Sequence, residues 1–123
     1  MSAERRAAID IGTVTCRMLV ADVTGGVVDE VVRRQEITHL GAGWAESGEL
    51  SADGIARVAT AVGSFAREAA TLGATRTVAV ATSAARDARN KDAFLDALAA
   101  AGVRPQIISG ERDPARTAHL PNV

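Results

Sequence analysis

Ala7-Ala8-Ile9-Asp10-Ile11-Gly12-Thr13-Val14-Thr15-Cys16-Arg17-Met18-Leu19-Val20-Ala21-Asp22-Val23 is the stretch on which the fold turns. Two short apolar runs flank a turn of glycine and small hydroxyl residues. Ala7 to Gly12 reads as a buried strand and Cys16 to Val23 as a second. Gly25-Gly26 is a hairpin signal leading into a third strand, from Val27 to about Thr38. Asp29, Glu30, Arg33, Arg34 and Glu36 make that strand polar, as suits an exposed position near a sheet edge, where charge blocks edge-to-edge pairing.

Beyond this meander the pattern changes. Leu40 to Leu50 carries Gly41, Gly43 and Gly48 and is expected to be a loop. Ser51 is a helix cap with Asp53 in the first turn. Ile55, Val58, Ala59, Val62, Phe65, Ala66 and Ala69 then recur at helical spacing up to Gly73. Thr77 to Thr82 is a β-branched strand. Asn90 is placed to cap a second helix, with Phe94, Leu95 and Leu98 on its apolar side and Gly102 as its stop. Pro105 to Ile108 reads as the last strand. The order β-β-β-α-β-α-β predicts an α/β fold, a five-stranded mixed sheet with helices packed on it. The polar residues 111–123, with Pro114 and Pro121, are expected to form a frayed helix or a disordered tail, and residues 1–6 a flexible N-terminus.

Composition narrows the function. The 123 residues carry 14 basic and 15 acidic side chains, a net charge of -1, so no whole-protein field draws the chain to nucleic acid or membrane. Two Phe, one Trp and no Tyr cannot supply base-stacking platforms. The one cysteine, Cys16, excludes an internal disulfide and fits a reducing compartment. No apolar run approaches the roughly 20 residues of a membrane span. A soluble cytoplasmic protein is expected, with any anionic ligand held by a local site.

Three segments can carry chemistry. In Asp10-Ile11-Gly12-Thr13-Val14-Thr15, glycine and small hydroxyl residues allow close backbone approach and convergent N–H donors for a phosphate, and Asp10 can hold a hard cation. The same residues also describe a plain hairpin whose buried Asp caps the turn. After the fourth strand, Thr82, Ser83 and Arg86 can contact an oxyanion, as ligands bind beyond strand carboxyl ends. They equally describe a helix cap and a solvated Arg86-Asp87 pair. Glu111 and Asp113, after the last strand, can position an attacking water or form a surface charge cluster. Gly41-Ala42-Gly43 lacks the context of a dinucleotide fingerprint. His39 and His119 lack metal-ligand spacing, Trp44 reads as a loop anchor, and Cys16 as a small buried side chain.

Taken in order, these segments resemble the exopolyphosphatase / guanosine pentaphosphate phosphohydrolase family over residues 7–110. Asp10-Ile11-Gly12-Thr13 with Arg17-Met18-Leu19-Val20-Ala21-Asp22 is similar to its first phosphate motif. Leu40-Gly41-Ala42-Gly43 and Gly48-Glu49-Leu50-Ser51 match the loop before its first helix. Its most specific signature is matched by Val80 to Asn90 with Phe94-Leu95, and Ile107-Ile108-Ser109-Gly110 is similar to the end of its fifth strand. The resemblance implies an N-terminal actin-like, ribonuclease-H-like lobe and Mg²⁺-dependent hydrolysis of terminal phosphoanhydride bonds in polyphosphate or guanosine pentaphosphate. It implies that Asp10 organises Mg²⁺, that Gly12, Thr13, Val14 and Thr15 cradle phosphate, and that Arg86 contacts the anion.

Departures from the family pattern qualify this. Val14 stands where many members have Asn. Glu111-Arg112-Asp113-Pro114-Ala115-Arg116 replaces a Glu-Glu-Ala-Arg run, so the catalytic glutamate maps to Asp113 or is lost, with Glu111 out of register. The second phosphate loop and second lobe of the family do not follow within these 123 residues. Negligible phosphatase activity of the isolated chain is therefore expected, with self-association through the surface a second lobe would cover. Two alternatives stand beside this reading. One is a non-catalytic phosphoanion-binding or protein-interaction module. The other is a kinase-type relative sharing the Asp-x-Gly-Thr loop, against which the Ala-Thr-Ser-Ala-Ala-Arg segment argues.

Overall fold

The computed structural model describes residues 3–81 and 83–107, with the backbone alone at 44, 45, 83 and 84. Strands β1 (Glu4–Ile11), β2 (Thr15–Thr24) and β3 (Val27–Ile37) form an antiparallel meander. A one-turn helix α1 (Trp44–Ser47) and the long helix α2 (Ala52–Thr71) follow. Then come β4 (Arg76–Ala81), the short α3 (Ser83–Asp87), α4 (Lys91–Ala100) and β5 (Gln106–Ile107). β4 runs parallel to β1, and β5 parallel to β4. The sheet order is β3-β2-β1-β4-β5, so the sheet is mixed and five-stranded, as the sequence order predicts, and the charged β3 is an edge.

Period-2 alternation explains the core. Ala7, Ile9 and Ile11 of β1, Cys16, Met18 and Val20 of β2, and Ala79 and Ala81 of β4 are buried together. Against them α2 brings Val58, Val62, Phe65 and Ala69, and α4 brings Phe94 and Leu98. Nearly all of these side chains are aliphatic, as the composition requires. Ser51 caps α2, its Oγ accepting the Gly54 N–H at 2.9 Å. Among the described residues no helix is long and apolar enough to cross a membrane.

Several local readings are corrected. The first strand starts at Glu4, not Ala7, so residues 4–6 belong to the sheet rather than to a flexible N-terminus. Arg5 fixes them there. Its guanidinium forks onto both oxygens of Asp22 at 2.8 and 2.9 Å and donates to the Leu72 carbonyl at 2.9 Å. The 40–50 loop contains the turn of helix α1. Asn90 precedes α4, yet its side chain does not cap it. Instead Oδ1 accepts the Leu50 N–H at 2.9 Å and Nδ2 donates to the Leu50 carbonyl at 2.8 Å. Those two backbone groups sit where no ladder serves them, and a side-chain amide satisfies both. Among the described residues the last strand is Gln106–Ile107, starting one residue after Pro105; Ile108 lies outside them.

Candidate functional site

The site is built at the β1–β2 turn. Ile11 of β1 stands opposite Cys16 of β2, and Gly12 N–H closes the turn onto the Thr15 carbonyl at 3.1 Å. A Cβ on Gly12 would come to 2.8 Å of that carbonyl oxygen, so only glycine fits. The carbonyls of the turn are committed. Thr13 O accepts from Gly41 N at 2.9 Å, and Val14 O accepts from Thr38 N at 2.8 Å and His39 N at 3.0 Å. Among the described residues, the N–H groups of Thr13 and Val14 donate to nothing. Two unserved amides on a small-residue turn form an anion-ready surface, the arrangement a phosphate loop needs.

The 38–41 segment that fixes those carbonyls is itself held from behind. Arg57 of α2 donates through Nε to the Thr38 carbonyl at 2.7 Å and through Nη2 to the His39 carbonyl at 3.4 Å. Gly41 passes so close to the turn that a Cβ there would lie 2.2 Å from Thr13 Cγ2. Gly41-Ala42-Gly43, which fails as a dinucleotide motif, therefore serves as a brace for the phosphate-type turn. Arg57 is absent from the sequence-based candidates. Only its place one turn into α2 could have drawn notice, and that place alone predicts no contact.

Asp10 lies one residue before the end of β1, on the sheet face opposite the core. Its ladder neighbours are Arg17 on β2 and Val80 on β4. Oδ1 is buried and has no hydrogen-bond partner among the described residues. Burial pushes the carboxyl above the usual aspartate range, and the Arg17 charge opposes this by less. An orphaned, partly desolvated carboxylate oxygen beside open amides fits a hard cation that also contacts phosphate. Mg²⁺ is commonly held by one or two carboxylates with substrate oxygens completing the shell. No cluster of three or more His, Cys, Asp or Glu stands among the described residues.

This environment has a measurable consequence. The folded state holds the Asp10 proton more tightly than the unfolded chain, so stability falls as pH rises from the ordinary aspartate range through the raised value. Asp10→Asn is expected to raise unfolding stability at pH 7 by about 1 kcal/mol. The gain should vanish at about pH 2.5, where the wild-type carboxyl is protonated in both states. Urea unfolding of both proteins at the two pH values measures this; a variant less stable than wild type at pH 7 would sink it.

The parallel strands bring the carboxyl ends of β4 and β5 to the end of the sheet that carries the turn. Ala81, the last residue of β4, stands opposite Ile11 on one side and opposite Ile107 of β5 on the other. The carboxyl ends of β4 and β5 therefore lie at the same end of the sheet as the Gly12 turn. Arg86 lies in α3, where it forks onto Asp87, Nε to Oδ1 at 2.7 Å and Nη2 to Oδ2 at 2.8 Å. This pairing holds the Asp87 carboxyl below the usual range. Thr82, Glu111 and Asp113 lie outside the described residues, as do the side chain of Ser83 and that of Trp44. Arg89 N–H donates to the Gly48 carbonyl at 2.9 Å, and its guanidinium to the Ser47 carbonyl. With Asn90 on Leu50, the segment after Arg86 thus secures the 47–50 loop. Cys16 is buried against Thr38, with 3.6 Å between Sγ and Oγ1, and burial pushes its thiol up, so it stays protonated in the core.

Comparison with known proteins places this geometry. A model of the Ppx/GppA phosphatase family matches residues 19–120. The chain belongs to the Ppx/GppA phosphatase family. Its sequence is 38% identical to exopolyphosphatase 2 of Mycobacterium tuberculosis, in an alignment covering 92% of this chain and 39% of that protein. The crystal structure of the Ppx/GppA family member of Aquifex aeolicus superposes with a TM-score of 0.84 at 30% identity, over 89% of this chain and 36% of that one. An exopolyphosphatase from Cytophaga hutchinsonii, at 23% identity, shares the fold with a TM-score of 0.83 over 88% of this chain and 35% of the other. The five-stranded sheet with its helices is thus the actin-like architecture of Ppx/GppA proteins, and the chain spans about 39% of the length of the curated relative.

Proposed function

We propose that this chain is the phosphate-gripping wall of a Ppx/GppA phosphatase that hydrolyses terminal phosphoanhydride bonds of polyphosphate or guanosine pentaphosphate. The observation that carries the reading is that, among the described residues, the Thr13 and Val14 amides and the buried Oδ1 of Asp10, three and four positions before them, have no hydrogen-bond partner. In this reading Gly12 to Thr15 hold the anion through backbone N–H groups, and Asp10 holds Mg²⁺. The ion, when bound, neutralises charge on the phosphoryl oxygens. Arg86 exchanges Asp87 for a phosphate oxygen, a trade between two bidentate partners of similar strength. Val14 presents no side-chain donor, so recognition at that position is by backbone alone. Asp113, with Glu111 as the out-of-register alternative, is the carboxylate that would position the attacking water.

Phosphoryl transfer depends on groups surrounding the phosphate. One wall places few of them, and a misplacement of about 1 Å costs roughly a hundredfold in rate. The 123-residue polypeptide is therefore expected to bind phosphoanhydrides with negligible turnover. Calorimetric titration with inorganic polyphosphate and with guanosine pentaphosphate, with and without Mg²⁺, tests the binding. Affinity that requires Mg²⁺ and drops at least tenfold in Asp10→Ala supports the reading. Binding indifferent to both overturns it. Phosphate release abolished by Asp10→Ala would instead overturn the expected inactivity and leave the site assignment standing.

A further inference from the structure

Edge strand β3 carries a charge pattern that complements itself. Its centre reads Asp29-Glu30-Val31-Val32-Arg33-Arg34, two acids and two bases about a pair of valines. We infer that β3 pairs antiparallel with β3 of a second copy of this chain, joining two five-stranded sheets edge to edge about a two-fold axis. In this register Val31 lies opposite Val32 of the second copy, Glu30 opposite its Arg33, and Asp29 opposite its Arg34. The symmetry repeats each contact, giving four opposite-charge pairs.

The feature that permits this register is the irregularity of the β2–β3 ladder. In a regular strand Glu30 and Arg33, three positions apart, point to opposite faces of the sheet. A two-fold axis perpendicular to the sheet keeps each face on its own side, so the two side chains would miss each other. The ladder shifts between Val20 and Ala21, leaving Val31 as the extra residue. Glu30 consequently stands opposite Ala21, and Arg33 opposite Leu19, two positions apart on β2 and hence on one face. Asp29 opposite Asp22 and Arg34 opposite Met18 share the other face in the same way. The shift also gives Glu30 and Arg33 the same place in the alternation of inward and outward backbone groups, so the outer N–H and C=O groups of two copies can meet.

Exposure marks the same strand. Of the six exposed large apolar residues among those described, Val27, Val28, Val31 and Ile37 lie on β3. Within one chain Arg33 folds back onto Glu30 at 2.8 Å, and Arg34 reaches the half-buried Glu68 of α2 at 2.7 Å, the three residues of β3 being exposed. Exposed pairs contribute little in either arrangement, so exchanging them is nearly neutral, and the added backbone ladder and the covered valines drive association. The charges then select this register against others, since a slip of one or two positions sets charged residues opposite valine or glutamine and leaves fewer opposite-charge pairs.

Sedimentation velocity of the 123-residue protein over a concentration series at low salt tests the inference. A reversible dimer that weakens as salt is added is expected; a monomer throughout overturns it. Asp29→Arg with Glu30→Arg makes all four positions basic, and Arg33→Glu with Arg34→Glu makes them all acidic. Each doubly substituted protein alone should self-associate about tenfold more weakly or less, while an equimolar mixture forms a heterodimer. Self-association of either one equal to wild type, or no heterodimer from two folded proteins, rejects the pairing. If losing the Arg34 contact to Glu68 unfolds the acidic protein, the single exchanges Glu30→Arg and Arg33→Glu, which keep that contact, repeat both arms.

Discussion

Gly41→Ala is expected to loosen the phosphate turn and weaken anion binding at least tenfold, although residue 41 itself offers nothing to an anion. The added Cβ would lie 2.2 Å from Thr13 Cγ2, well inside contact distance. Either Thr13 rotates or the 38–41 segment withdraws, and withdrawal breaks the bond from Gly41 N to the Thr13 carbonyl. Overpacking of this kind costs about 1–3 kcal/mol. The Thr13 and Val14 amides lose their fixed direction with it, which is where the affinity goes. Thr13→Ser removes the colliding methyl, so the double substitution should recover stability relative to Gly41→Ala alone. Urea unfolding of the four proteins gives the coupling, expected at about 1 kcal/mol or more. Strictly additive effects would mean that the brace does not act through this contact.

Phe94→Ala is expected to have the largest effect on stability, a loss of about 3–5 kcal/mol. Phe94 is 0% exposed and is the largest fully buried side chain of the core, set on α4 among Leu98, α2 and the sheet. Domains of this size are stable by about 5–15 kcal/mol, so the variant should remain folded only at low temperature or low denaturant. Phe94→Leu should lose far less. Where the Ala variant is folded, its Mg²⁺-dependent binding should match wild type, because no phosphate-turn contact passes through Phe94. A binding loss at full folding would place α4 in the site. Denaturant melts paired with titration at 10 °C separate the two outcomes.

The meander, the order of elements along the chain and the long capped helix were legible because each rests on signals within a few residues. Alternation from Ala7 to Val23, the Gly25-Gly26 turn and the Ser51 cap on Gly54 are local, and all stand where the sequence puts them. Asp10 and the turn from Gly12 to Thr15 were likewise visible as candidates, since a phosphate turn is a contiguous string. Their surroundings were not visible. Asn90 reads as a cap from its neighbours but serves Leu50, 40 positions away. Arg57 carries no sequence signal of its own, yet it holds the Thr38 carbonyl. Gly41 reads as loop filler but lies against Thr13. The shift at Val31 leaves no mark in a string of valines and charges, yet it decides which of them share a face.

The sequence by itself determined the strand and helix order, the family and the residues able to meet a phosphate, because these depend on residue type and near spacing. Only the tertiary structure decided which backbone amides of the turn stay open among the described residues, that Asp10 is left there with an unpartnered oxygen, and which charges of β3 point the same way. Each of these depends on what residues distant in sequence take up or leave over when the sheet closes.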